Sequence, residues 1–456
     1  MSQLFQKKNK MNFAHLSEIF VPLFRNMVTN MKRVLLLITL LVGICCGVSA
    51  QTQKKMVVLS DPHVMAPSLL ESEGTAWTNY LNRERKMVDN SQLLYDEMMT
   101  RIMTASPDLV LITGDLTKDG EQVSHEYVIS KLNELRASGI QVLVIPGNHD
   151  RGANRNAVYY NGASTTAAAA VADNDWFAEH YVNYGYGNSS EREETTLTYA
   201  CEPIDGLVVI GIDSGRRGIV SSTTLNWVKE KAETAKANGK RVIAMMHHPL
   251  MPHFTGVNTF VETAVVSNYE TVRNTLADAG IKVVFTGHIH TSDIAKDWNA
   301  DLSKAVYDVN TGSLISYPCD YREVTLSDDL SKMSITTGHI SKLEGRDDFV
   351  HVAKNRLETA IEKAVIAMGS AYALIAPTVT QALIIHTEGN EPENEDAADI
   401  LTTLLAAADM GVAWGKLTEK KAADLKVMVN SLLQDKSNYG TEREDVTNDL
   451  MLDIEL

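Results

Sequence analysis

Five short clusters carry side chains of the types that bind a metal or move a proton. They are Asp61-Pro62-His63, Gly114-Asp115, Gly147-Asn148-His149-Asp150, His247-His248-Pro249 and Gly287-His288-Ile289-His290. The Asp-x-His and His-x-His spacings matter, because residues i and i+2 of an extended segment project to the same side. Each pair can therefore offer two ligands to one cavity. Taken singly the clusters say little: a lone His-x-His is usually a solvated or packing pair, and a lone Asp after a strand is usually a cap. Together, in order and each at the end of an apolar run, they describe a site.

The apolar runs that must position them are strand-like: 55–60, 108–114, 140–147, 206–213, 240–246 and 281–287. Most lack strict alternation, as expected for strands buried on both faces. Helices are predicted between them. Leu94, Met98 and Ile102 share a face within 83–104, and Tyr127, Leu132 and Leu135 share another. Leu225, Val228, Ala232 and Ala235 lead to a stop at Asn238-Gly239, and Tyr269, Val272 and Leu276 to a stop at Gly280. Strand–helix alternation of this kind predicts an α/β sandwich, with ligands gathered at the carboxyl ends of the strands. Segments 194–201, 305–309 and 321–337 read as antiparallel strands of a second sheet. Residues 151–193 form a polar insertion, in which Ala167–Ala170 reads as ordinary helix. Beyond about 346 the strand signal stops, and 350–376, 396–409 and 418–436 read as helices around an acidic linker at 391–399.

The five clusters, in this order, resemble the calcineurin-like metallophosphoesterases over roughly residues 54–340. The resemblance implies a four-layer αββα sandwich of two mixed sheets, here followed by a C-terminal all-helical domain. Carried over position by position, it implies that Asp61, His63, Asp115 and His290 hold one metal. Asp115 would bridge to a second held by Asn148, His247 and His288. His149 would be the general acid or a transition-state contact, oriented by Asp150. Spacing alone does not choose between His247 and His248; the His-x-Pro pattern of the family selects His247 and makes His248 a supporting or rim residue. Two carboxylates, one amide and four imidazoles suit two divalent transition-metal ions such as Mn, Fe or Zn rather than Ca or Mg. The absence of thiolates argues against a structural zinc site.

The same resemblance implies attack by a metal-bridging hydroxide on a small phosphodiester. Two divalent ions, two carboxylates and a hydroxide leave a net charge of about +1, which attracts a phosphodiester monoanion. Purple acid phosphatases have Tyr where this chain has Lys118 and Gly where it has His63. Protein serine/threonine phosphatases carry arginines that are missing from GDLTKDG and PGNHD. GDLTKDGE, HHPL and GSLISYPCDYREVTL are closer to bacterial cyclic-nucleotide phosphodiesterase-type members. A phosphomonoesterase or nucleotidase using the same site is the alternative, and a catalytically retired metal-binding interaction protein a more distant one. His125, His180, His339, His351 and His386 read as surface or packing residues, and Asp213 as a supporting residue. His253 and Tyr269 are candidates for the substrate mouth.

The chain has 456 residues, 44% hydrophobic and 22% charged, with a formal net charge of −16 and a pI near 5.3. That length predicts more than one core, and that charge disfavours a nucleic-acid polymer as partner. The expected partner is a small phosphate ester. Lys32-Arg33, the apolar run Val34–Val48 and Val48-Ser49-Ala50 read as a cleaved signal peptide starting at Met31, with cleavage after Ala50. The run is short of the roughly 20 residues of a membrane span. The expectation is therefore an exported protein with no stable membrane span: signal peptide 1–50, catalytic domain 51–345 with the insertion 151–193, and helical domain 346–456. Cys201 and Cys319 could pair outside the cytoplasm or equally stay as two thiols.

Overall fold

Two mixed β-sheets form from the apolar runs in the computed structural model, which describes residues 53–152, 156–259, 263–369, 372–389, 391–435 and 448–456. The expected signal peptide lies outside the described residues. The first strands are β1 (Lys54–Leu59), β2 (Leu109–Ile112) and β3 (Gln141–Val144), joined through α1 (Thr75–Leu81), α2 (Ser91–Ala105) and α3 (Gln122–Ala137). The insertion holds β4 (Val158–Tyr159), β5 (Ala167–Ala168) and α4 (Asn174–His180). Next come β6 (Glu191–Arg192), β7 (Tyr199–Ile204), β8 (Leu207–Ile212), α5 (Ser222–Ala237), β9 (Arg241–Met246), α6 (Tyr269–Ala279) and β10 (Val283–Thr286). Strands β11 (Asp293–Trp298), β12 (Ala305–Asn310), β13 (Asp320–Leu326) and β14 (Lys332–His339) complete the run. Four helices follow, α7 (Phe349–Ala367), α8 (Ala376–Glu388), α9 (Ala397–Ala413) and α10 (Glu419–Leu433), and then β15 (Met451–Glu455).

The sheets have the orders β15-β14-β13-β1-β2-β3 and β11-β12-β10-β9-β8-β7-β6. Strands β1, β2 and β3 are parallel, as are β8, β9, β10 and β12, so two sets of strand ends meet at one edge of the sandwich. Alternate residues show why these strands lack a polar face. Val209, Ile243, Met245, Val283 and Phe285 enter the core shared with the first sheet. Their neighbours Val208, Ile210, Val242, Ala244 and Val284 pack instead with Leu225, Val228, Ala232, Val272 and Leu276 of α5 and α6. Each Val, Leu, Ile, Met or Phe among them contributes about 1.5–3 kcal/mol when fully buried. The helix stops fall where the sequence places them: Gly239 and Gly280 adopt φ of 75° and 78°, conformations that cost glycine nothing.

Several expectations change. The segments read as one antiparallel second sheet divide between the two: β7 and β12 join the second sheet, while β13 and β14 form an antiparallel pair in the first. Ala167–Ala168 is an exposed strand paired with β4 rather than helix, since four alanines without an apolar face to bury do not sustain a short helix. The helix expected over 350–376 stops at Ala367, with Gly369 at φ 142°, and a further helix that was not expected, α8, starts only at Ala376 with a proline in its first turn. The C-terminal region carries its helices and also β15, which pairs antiparallel with β14. The helices bury Ile385, Ile400, Leu404 and Leu432 against Phe254, Val257 and Ile289 of the loops beside the clusters. Residues Gln53–Leu456 form one compact unit. Among the described residues no helix is long and apolar enough to cross a membrane.

Candidate metal centre

Each cluster begins where a strand ends, and three glycines let the turns close on one another. A Cβ on Gly147 would lie 2.2 Å from Asp115 Oδ1, and one on Gly287 1.7 Å from Ser60 Oγ; one on Gly114 would lie 2.7 Å from both the Gly147 nitrogen and His247 Nδ1. Five of the candidate ligand residues are themselves bent: Asp61, His63, Asp115, His288 and His290 have φ of 50°, 38°, 48°, 73° and 64°. Left-handed backbone in side-chain-bearing residues costs of order 1–3 kcal/mol each and gathers at functional sites.

These bends aim the side chains inward in two groups. In the first, His63 Nε2 is 3.3 Å from His290 Nε2 and 3.6 Å from Asp61 Oδ1, while His290 Nε2 is 3.2 Å from Asp61 Oδ1. In the second, His247 Nε2 is 2.9 Å from Asn148 Oδ1 and 3.4 Å from Asp115 Oδ2, and His288 converges on the same place. Asp115 Oδ2 also lies 3.6 Å from His63 Nε2, so one carboxylate oxygen faces both groups. The other carboxylate oxygens are anchored: Asp115 Oδ1 accepts the His149 backbone N–H at 2.7 Å, and Asp61 Oδ2 accepts the Ser60 hydroxyl and the His288 N–H.

The donor set fits a pair of divalent ions. His247 Nδ1 donates to the Thr113 carbonyl at 2.9 Å, which leaves its Nε2 lone pair facing the lone pairs of Asn148 Oδ1. A cation between them satisfies both. Asp61 Oδ1 and His288 Nε2 are buried without a hydrogen-bond partner, an expensive state unless an ion takes them up. Burial pushes His63 down to about 3 and His290 down to about 4, so both offer neutral imidazoles. Burial would also lower His247, but the Asp115 carboxylate beside it raises it to about 9, a place for a proton that a metal would displace. Burial opposes ionisation of Asp61 and Asp115, yet the surrounding imidazoles hold both well below the usual carboxylate range.

His149 sits against this centre, its ring 4.9 Å from that of His63. Its Nδ1 donates to the Lys118 carbonyl at 2.8 Å and faces Asp119 Oδ1 at 3.1 Å. The group that orients it is therefore Asp119, not Asp150. The Asp150 carboxylate points the other way: Oδ1 accepts from the Thr117 backbone and hydroxyl at 2.9 and 3.0 Å, and Oδ2 from the Gly147 N–H at 2.8 Å. Adjacent residues in a tight turn face apart, which sequence proximity alone does not reveal. Burial pulls the His149 ring down, but Asp115 and Asp119 outweigh it and raise it above the ordinary imidazole value. Asp119 is in turn held by Lys118, fully buried, whose Nζ also lies 3.0 Å from Glu121 Oε1. These three residues stand just after the second cluster, in the stretch 116–121; the charged pair Lys118-Asp119, separated from Gly114-Asp115 by two residues, is the signal that could have pointed to them.

His248 is buried behind the centre with Nδ1 2.8 Å from Ser214 Oγ, and burial together with His247 pushes it down to about 3. Asp213 pairs with Arg151. Cys201 and Cys319 are free thiols. His253 does not reach the mouth: it is buried between Asp293 and Asp308, at 2.7 and 3.1 Å. Tyr269 packs among α6 and the C-terminal helices. The mouth is instead a cavity of about 570 Å³ whose floor includes His63, Asp115, Asn148, His149, His288 and His290. One side carries Arg83, Arg85 and Lys86, just before α2; another carries Leu357, Ile361 and Val365, one face of α7. Neither wall carries a recognisable sequence motif.

Residues 54–292 match the family described as calcineurin-like phosphoesterase. The chain belongs to that family. Those residues are thus a phosphoester hydrolase domain, and the two ligand groups are its candidate dinuclear divalent-metal site. The phosphoesterase chain is 26% identical over 213 residues to a probable glycerophosphodiester phosphodiesterase of Arcobacter nitrofigilis, covering 44% of this chain and 64% of that one. It is 24% identical over 241 residues to a probable cyclic nucleotide phosphodiesterase of Synechococcus, covering 52% and 74%. Among solved structures, a dimetal phosphatase from Danio rerio aligns with a TM-score of 0.43 at 14% identity, over 63% of this chain and 96% of that one.

Proposed function

We propose that the protein is a dinuclear metal-dependent phosphodiesterase for a small diester. The observation that carries this reading is Asp115 Oδ2, which faces both ligand groups at the floor of a cavity with one cationic and one aliphatic wall. The ions, when bound, activate water and polarise the phosphoryl oxygens. Asp61, His63, Asp115, Asn148, His247, His288 and His290 would hold them, with Mn, Fe or Zn as the candidate ions for such a donor set. Arg83, Arg85 and Lys86 supply positive charge toward the non-reacting oxygens or an anionic arm. The face of α7 accommodates an organic arm, of which a diester carries two on phosphorus and a monoester one. His149, held by Lys118 and Asp119, would deliver a proton to the leaving oxygen.

The names of the relatives, glycerophosphodiester and cyclic nucleotide phosphodiesterases, support a diester over a monoester. A phosphomonoesterase reading draws on the cationic wall, which suits a dianion. Bis-p-nitrophenyl phosphate and p-nitrophenyl phosphate with added Mn²⁺ separate the two: the proposal expects higher kcat/KM on the diester, and the reverse order overturns it. No turnover of either ester by protein containing two metals would point to the retired alternative. The reading also takes the enzyme to be exported through its N-terminal segment; sequencing the mature N-terminus should find Gln51, and an intact N-terminus in the cytoplasmic fraction would refute export.

A further inference from the structure

A second convergence of carboxylates lies apart from the catalytic floor. Asp293 opens β11, three residues after His290. Asp435 follows α10, and Asp449 precedes β15. One carboxylate oxygen from each can be drawn so that all lie within 4.8 Å of one another, and all three residues are buried. Glu391, in the turn after α8, is completely buried and electrostatically coupled to Asp449. Four segments distant in sequence thus send acids into one interior space.

The hydrogen bonds present leave oxygens of Asp293, Glu391 and Asp449 unsatisfied. Asp293 Oδ1 takes His253 Nδ1 at 2.7 Å, Glu391 Oε1 takes His386 Nδ1, and Asp449 Oδ1 accepts the Ile294 N–H at 2.7 Å. Asp293 Oδ2, Glu391 Oε2 and Asp449 Oδ2 are buried with no hydrogen-bond partner. His386 Nε2, also unpartnered, points at Asp293 Oδ2 from 3.6 Å, too far for a hydrogen bond. Among the described residues the nearby cations include His253, His386 and Arg322. Arg322 spends its Nη atoms on the Thr337 hydroxyl and on the carbonyls of Asn310 and Asp449, not on the carboxylates. With all of them ionised, Asp293, Asp308, Glu391 and Asp449 outnumber those three cations. Each uncompensated ion taken out of water costs several kcal/mol.

We propose that this cluster is a third cation site, separate from the catalytic pair, which binds a hard divalent ion such as Ca²⁺ and ties the C-terminal helices to β11. An all-oxygen carboxylate set selects Ca²⁺ or Mg²⁺ over the softer ions suited to the imidazole-rich catalytic centre. Consistent with this, burial together with Asp293, Asp435 and Glu391 drives the Asp449 carboxyl well above its ordinary value, a state that a bound cation reverses. His386 and Thr387 line the substrate cavity, so an ion held beside His386 would also fix the C-terminal wall of that cavity.

The test uses full-length protein loaded with Mn²⁺ and then titrated with Ca²⁺, read by elemental analysis and by thermal unfolding. The site predicts one further ion per chain and a rise in Tm on adding Ca²⁺. Asp449→Asn should weaken Ca²⁺ binding by at least about tenfold, abolish the Tm rise and leave the two Mn²⁺ in place. Asp435→Asn is the second variant should the first not fold. If neither Ca²⁺ nor Mg²⁺ at millimolar concentration binds the wild-type chain or changes its Tm, the site does not exist. Asp449→Asn would then be as stable as wild type or more so, because an amide relieves crowded carboxyls. Neither readout depends on turnover, so failure here is distinguishable from failure of the phosphodiesterase reading.

Discussion

Asp115 Oδ2 faces His63 Nε2 at 3.6 Å and His247 Nε2 at 3.4 Å, and so faces both halves of the candidate metal centre. Asp115→Asn should therefore lower metal content at both sites, with affinity falling by more than the roughly 10–100-fold typical of outer partners; elemental analysis after dialysis checks it, and loss of a single ion would refute the bridging role. For His149 the leaving group is the probe. His149→Ala should slow alkyl or ribose diesters by about 10²–10⁴-fold but nitrophenyl esters much less, since nitrophenolate leaves without a proton. Asp119→Asn should show the same selectivity in smaller measure. Asp150→Asn should instead loosen the Gly147 turn and cost metal without regard to leaving group. Equal losses on both esters for His149→Ala, at unchanged metal content, would remove the acid role.

At the scale of elements, the strand-end turns carry the site because they are glycine-hinged and held left-handed. Gly147→Ala places a methyl 2.2 Å from Asp115 Oδ1 and 2.4 Å from its backbone nitrogen, atoms that cannot swing aside. Metal content should fall while circular dichroism stays native, with stability reduced by about 1–3 kcal/mol from overpacking. Unchanged metal binding would show that the turn tolerates a Cβ. Asp320, the first residue of β13, gives a pH prediction. Burial pushes its carboxyl up to about 6, from an ordinary 3.8. The folded chain thus binds more protons there than the unfolded chain, so this contribution is present below about 3.8 and is lost as the pH rises through about 6. Asp320→Asn, which mimics the neutral acid, should match wild type near pH 4 and gain on it by on the order of 1–3 kcal/mol by pH 7. A stability difference independent of pH would refute the assignment.

For the whole molecule, the C-terminal region both covers the site and closes a sheet. Strand β15 pairs with β14 from Met451 to Glu455, and the Leu456 N–H reaches the Ser331 carbonyl. Deleting 449–456 should expose the edge of β14, lower Tm and promote association, yet soluble protein should keep its two catalytic ions, since every ligand lies upstream. Soluble truncated protein without metal would show that the tail completes the centre.

The sequence by itself located six core strands, the five clusters at their ends and the candidate ligands, because local rules govern each of them: apolar runs make strands, i and i+2 share a side, and glycine permits the bent turn. His149 was legible as lying beside the ligands for the same reason. What only the tertiary structure decided was how distant segments meet. The direction in which a side chain leaves a tight turn gave His149 to Asp119 rather than Asp150. Burial placed His253 between two carboxylates instead of at the mouth. Strand pairing drew the last residues of a helical region into the first sheet, and carried Asp293, Glu391, Asp435 and Asp449 into one interior space. No spacing rule links residues more than a hundred positions apart; the free energy of excluding water from two shared cores does.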